Sequence, residues 1–147
     1  MRKEKLLINN TSLILASLFY NNEPIRGRTR LQKMVYLLKE KYKIPFTLKF
    51  KPYYYGPYSE ELSDNIALLI ALKFTEETTE YLGMGLNRHN YQLTDKGKKY
   101  ICRFTEIAGK DTEKIIEKLQ RDIAEINELP TSELISKAKA LMAKSVQ

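Results

Sequence analysis

Nine basic side chains, Arg26, Arg28, Arg30, Lys33, Lys39, Lys41, Lys43, Lys49 and Lys51, fall between residues 26 and 51 against one acid, Glu40. The whole chain has a formal net charge of +7, so its entire excess is concentrated in this segment. Such a field attracts polyanions, duplex DNA first among them, although a lysine-rich solvated surface has the same composition. Arg26, Arg28, Arg30, Gln32 and Lys33 flank the start of a helix, where free N–H groups and the helix dipole add attraction for phosphate. A second basic set, Arg88, Lys96, Lys98 and Lys99, follows later in the chain. These nine residues are the expected DNA contacts, with Arg88 able to enter a minor groove.

Four tyrosines, Tyr53, Tyr54, Tyr55 and Tyr58, surround a Gly-Pro turn. Such rings stack exposed bases, anchor a protein interface or lock a turn; packing with one or two rings left for a partner interface is expected. His89 is the only histidine and no ligand-spaced carboxylate or cysteine accompanies it, so no metal site is expected. Cys102, between Ile101 and Arg103 on an amphipathic helix, reads as a buried thiol. Gly83-x-Gly85 lacks the strand-to-helix setting of a phosphate loop and reads as a hairpin tip. Nothing assembles a nucleophile, a base and an orienting group, so neither catalysis nor a cofactor is expected.

The positioning elements follow from periodicity. Residues 11–20 predict a first helix capped by Thr11 or Ser12. A second opens at Gly27 and Thr29 with Leu31, Met34, Val35, Leu38 and Tyr42 as its apolar stripe, which turns Arg30, Lys33 and Glu40 outward. Alternation over 46–51 predicts a strand. Ser59 caps a third helix to about Lys73, apolar over half its circumference and expected to be the central core helix. Its outward side carries Glu60, Glu61, Ser63 and Asp64, which repel the phosphates beside a major groove. Residues 74–82 and 89–93 predict the strands of a wing. A helix over 94–107 buries Tyr100, Ile101 and Phe104, and two more helices lie in 112–147. This terminal pair is near neutral, so its apolar stripes point to packing, with homodimerisation through residues 112–147 as the alternative.

At 147 residues, 43% hydrophobic and 29% charged, the chain suits a soluble globular protein with a real core. No apolar run is long enough to span a bilayer, and the one in residues 6–10 is too short for a signal peptide, so a cytoplasmic location is expected.

Three segments carry a resemblance: Leu31-Gln32-Lys33-Met34-Val35-Tyr36-Leu37-Leu38, Tyr55-Gly56-Pro57-Tyr58-Ser59-x-x-Leu62, and Tyr91-x-Leu93-Thr94-x-Lys96-Gly97. In this order they resemble YwgA-like proteins and the related SocA-like or Panacea domain of antitoxins, over about residues 10–105. The last segment also resembles the wing-to-body junction of many prokaryotic winged-helix regulators. The resemblance implies a winged-helix scaffold, no catalytic centre, and a regulator or antitoxin role. The expected fold is mainly α with a small antiparallel β wing: a winged helix-turn-helix-like unit over 1–108 and a helical hairpin over 109–147. The expected function is a DNA-binding transcriptional regulator; the alternative is a non-catalytic protein-binding module of antitoxin or adaptor type, with a toxin as one partner.

Overall fold

The computed structural model describes residues 8–145. Residues 1–7 and 146–147 lie outside the described residues, and with them the start of the expected 1–108 unit, the end of the 109–147 unit, and Leu6 and Leu7 of the N-terminal apolar run.

The described chain is mainly helical with a small antiparallel wing. Helix α1, Asn10–Tyr20, is capped by Asn9, not by Thr11 or Ser12: the Asn9 side chain accepts from the Ser12 amide, and the Ser12 hydroxyl accepts from the Asn9 amide. Strand β1, Ile25–Arg26, is too short to show alternation in sequence and is read only from its pairing. Helix α2 is Arg28–Glu40. The short strands β2, Lys51–Tyr53, and β3, Gly56–Tyr58, form a hairpin of their own. Helix α3 is Glu60–Ala71, and strands β4, Thr75–Gly83, and β5, Leu86–Leu93, form the wing. Helices α4, Asp95–Ile107, α5, Lys110–Ile126, and α6, Thr131–Ser145, complete the order. The larger sheet runs β1-β5-β4, with Ile25 opposite Tyr91 and Glu80 opposite Arg88.

The expected strand over 46–51 is absent until Lys51. Its alternation is real, since Ile44, Phe46 and Leu48 are buried while Pro45, Thr47 and Lys49 are exposed. Side chains hold the segment where a ladder would have done so. Asn10 brackets Thr47 at 2.8 and 3.0 Å, and the Lys39 ammonium donates to the Leu48 carbonyl at 2.7 Å.

The central helix is α2, not α3. Every residue from Leu31 to Leu38 is buried, because α6 covers α2 on one side and the β2–β3 hairpin adds to the cover. Helix α3 buries only Leu62, Ile66 and Leu69, leaving Leu68 and Leu72 exposed. On α4 the buried stripe is Gly97, Ile101 and Phe104. Cys102 sits one position off that stripe and is exposed, and Tyr100 rests partly open against Phe74 and Phe104. Ile116, Leu119, Ile123, Ile126, Leu134 and Ala138 belong to the same core as α1 and α2, so the stripes of the terminal hairpin are spent inside the chain. No described helix is long and apolar enough to cross a membrane.

Candidate functional site

The three sequence motifs meet around the first turns of α2. The Gln32 side chain reads the backbone of Ser59 at both ends: its Nε2 donates to the Ser59 carbonyl at 2.9 Å, and its Oε1 accepts from the Ser59 amide at 2.8 Å. Ser59 in turn caps α3 by accepting from the Leu62 amide. The Lys33 ammonium donates to the Pro57 carbonyl at 3.0 Å, with the residue only 3% exposed. Burial, and then the nearby Lys139, hold its pKa below the ordinary lysine value. Gly56 lies between Lys33 and Lys139 with φ +104°, where a Cβ would stand 3.1 Å from Lys139 and 3.5 Å from Lys33.

Two of the nine expected DNA contacts are thereby placed in the interior. Gln32 and Lys33 face inward and tie α2 to the β2–β3 hairpin. Arg30, expected outward, is half-buried and donates through Nη1 to the Leu129 carbonyl at 3.0 Å and the Thr131 hydroxyl at 3.1 Å, because the α5–α6 turn closes against it. Lys96 donates to the Leu72 carbonyl and covers the Phe74 ring at 4.4 Å. Lys98 and Lys99 are exposed on α4 and line none of the arginine-bearing hollows described next.

Arg26, Arg28, Arg30 and Arg88 do come together. They line a groove of about 520 Å³ that runs from Leu82 and Asn87 on the wing to Thr131 at the start of α6. Among the described residues no carboxylate lines it. Three of these arginines, Arg26, Arg30 and Arg88, also line an adjoining hollow of about 740 Å³ together with Glu23 and Glu128. Arg88 Nε donates to Glu80 at 2.9 Å, and this bond, with Arg88 and Arg26 nearby, holds the Glu80 carboxyl below its ordinary pKa. Arg28 Nε donates to the Tyr91 hydroxyl at 3.1 Å, and its guanidinium lies 3.9 Å from Glu77. Arg26 is exposed, and its side chain makes no hydrogen bond or ion pair among the described residues. The helix that opens here, α2, has no side-chain cap and no acid in its first turn.

Beside the groove, Arg28, Gln32, Tyr58, Ser63, Glu77 and Tyr91 line a cleft of about 240 Å³. Tyr58 and Ser63 hydroxyls share a hydrogen bond of 2.7 Å. Burial, then Glu77, push the Tyr91 hydroxyl up to about 12, while the residue is 3% exposed. The unfolded chain gives up this proton near pH 10 and the folded one near 12. The associated stability is therefore complete below pH 10 and lost as pH rises through 12, by about 2.7 kcal/mol for two units. Tyr91→Phe should remove most of that loss. The check is urea unfolding of both proteins at about pH 9 and about pH 11.5; equal losses in the two would refute it.

Two exposed apolar features flank these hollows. Tyr53, Tyr54 and Tyr55 stand out at the β2–β3 turn, Tyr54 being 90% exposed, so more rings are open than the expected one or two. Tyr58 is partly buried edge-on against Tyr53. At the wing tip Tyr81, Leu82, Met84 and Leu86 are all exposed, Met84 to 97%. Sequence reading placed the hairpin tip correctly but missed the tip side chains, which were visible around Gly83 and Gly85. It also missed Glu77 and Glu80, whose cross-strand partners depend on the wing register. Among the described residues no three His, Cys, Asp or Glu side chains gather as a metal site requires.

No family model matches the chain. It is similar to the uncharacterized protein YwgA of Bacillus subtilis (strain 168), 40% identical over 87 residues, a stretch that is 59% of this chain and 51% of that protein. The chain thus spans about half the length of the curated relative it matches, and the likeness supports a YwgA-like relationship.

Proposed function

We propose that the protein is a non-catalytic protein-binding module of the antitoxin or adaptor type, which offers its wing tip to a partner. The observation that carries this reading is the tip itself, where Tyr81, Leu82, Met84 and Leu86 are exposed together. A wing that contacts phosphates does so chiefly through basic groups, and residues 81–87 contain none. Clustered exposed apolar side chains rimmed by polar ones mark protein interfaces. Glu76, Glu77 and Glu80 on β4 disfavour an anionic membrane as the alternative surface. The resemblance to SocA-like antitoxin domains points the same way.

A photo-crosslinking residue at Met84, compared with one at Lys98, tests this in living cells. A discrete protein adduct is expected from position 84 alone, abolished by Leu82→Ser, Met84→Ser and Leu86→Ser combined in a protein of unchanged Tm, the probe then placed at Tyr81. Adducts shared with position 98, or surviving the triple change, would refute it.

Duplex DNA is the second reading, favoured by the arginine groove. Four arginines on phosphates give a log–log salt slope near about −3.6, and absence of binding at about 50 mM salt removes this reading.

A further inference from the structure

We infer that the partner engages through a short acidic segment with an apolar anchor, its carboxylates in the arginine groove and its anchor on the wing tip. This rests on the protein-partner reading and names the chemistry of the partner.

The groove gathers Arg26, Arg28, Arg30 and Arg88 with no carboxylate on its lining among the described residues, while Glu23 and Glu128 join three of these arginines in the adjoining hollow. Own-chain partners hold three of these guanidiniums without exhausting them. Each guanidinium has five N–H donors; Arg28 spends Nε on Tyr91, and Arg30 spends Nη1 on the α5–α6 turn. Arg88 spends Nε and Nη2 on Glu80. Side chains already fixed lose little further freedom on binding, and their planar forks suit carboxylates. The uncapped amide groups of Arg28, Thr29 and Arg30 add the positive end of α2 to the same hollow.

Leu82 selects the occupant. It lines the groove and also belongs to the exposed wing tip, so the charged and apolar surfaces are continuous. A duplex presents extended rows of phosphates and would accept Leu82 and Met84 only at thymine methyl groups or by unstacking a base step, which costs about a few kcal/mol. An acidic segment interrupted by leucine satisfies both surfaces.

The test is fluorescence anisotropy of the full chain with a labelled peptide, Glu-Asp-Leu-Glu-Asp-Leu-Glu, its Leu-to-Ser counterpart, and a duplex of about 20 base pairs, over about 50–300 mM salt. The leucine peptide should bind with salt-sensitive affinity, about tenfold weaker with Arg26→Glu and about fivefold weaker with Leu82→Ser. Arg26→Ser, which adds no new charge, should show a smaller loss in the same direction. The inference falls if the peptide fails to bind at the lowest salt, if Arg26→Glu leaves its affinity unchanged, or if the duplex binds more tightly through the same arginine. Crosslinking from Met84 that persists in the Arg26→Glu protein overturns this inference alone; its absence in the unaltered protein overturns the partner reading beneath it.

Discussion

Gly97→Ala should destabilise the protein by about 3–5 kcal/mol, the steepest loss expected of any single methyl group added to it. Gly97 lies in the first turn of α4, and a Cβ there would stand 2.1 Å from the Phe74 carbonyl oxygen and 3.2 Å from Leu93. The first obstacle is backbone, which cannot swing aside as a side chain can. Nor is the Phe74 carbonyl free to move, because it accepts from the Thr94 amide at 3.1 Å while the Thr94 hydroxyl donates to the Lys73 carbonyl at 2.6 Å. The same hydroxyl caps α4 by accepting from the Gly97 amide. Thr94-x-Lys96-Gly97 is therefore a packing device that lets α4 start directly against the end of α3. Urea unfolding measures the effect, with Gly109→Ala as the control, since nothing lies within 4 Å of a Cβ at Gly109. Equal midpoints for the two variants would sink the explanation.

Gln32→Ala should cost about 2–5 kcal/mol, because it strands a buried amide and a buried carbonyl of Ser59 together. Gln32→Glu should be worse. A carboxylate offers acceptors only, so one oxygen would face the Ser59 carbonyl where Nε2 now donates at 2.9 Å, and a charge would be buried as well. The readouts are the urea midpoint and hydrogen exchange at the Ser59 amide, whose protection should collapse in both variants. Had Gln32 been an outward contact for phosphate, neither substitution would move the midpoint. An unchanged midpoint for Gln32→Ala would restore that possibility.

Gln32 and Lys33 also show where sequence reading stopped. The stripe Leu31, Met34, Val35, Leu38 was legible because helical periodicity is local. That reading assigns polar residues to the outer face, and on α2 there is no outer face over eight residues. The covering groups come from Pro57 and Ser59, more than twenty residues ahead, and from α6, about a hundred residues ahead. No pattern within the helix encodes them. The wing and its tip were legible for the same reason as the stripe, since the Thr, Phe and Tyr content of 74–82, the alternation at Tyr91 and Leu93 and the paired glycines are local signals. The arginine groove was half legible. Its members were named from charge, but the roles of Glu77 and Glu80 as braces needed the strand register, and the closure of Arg30 by the α5–α6 turn needed the tertiary fold. Cys102 and Tyr100 were misplaced by a single step around α4, the ordinary error when the buried arc of a helix is narrow.

The cover on α2 has a consequence for how the chain is made. Arg30 and its partner Thr131 are 101 residues apart, and a ribosome adding about 5–20 residues per second separates their emergence by about 5–20 s. Throughout that interval the flank of the nascent helix that α6 covers is open to solvent and to any chaperone nearby. Full burial of α2 waits on a segment translated about a hundred residues after it, so the pace of synthesis sets the earliest moment at which that cover can close.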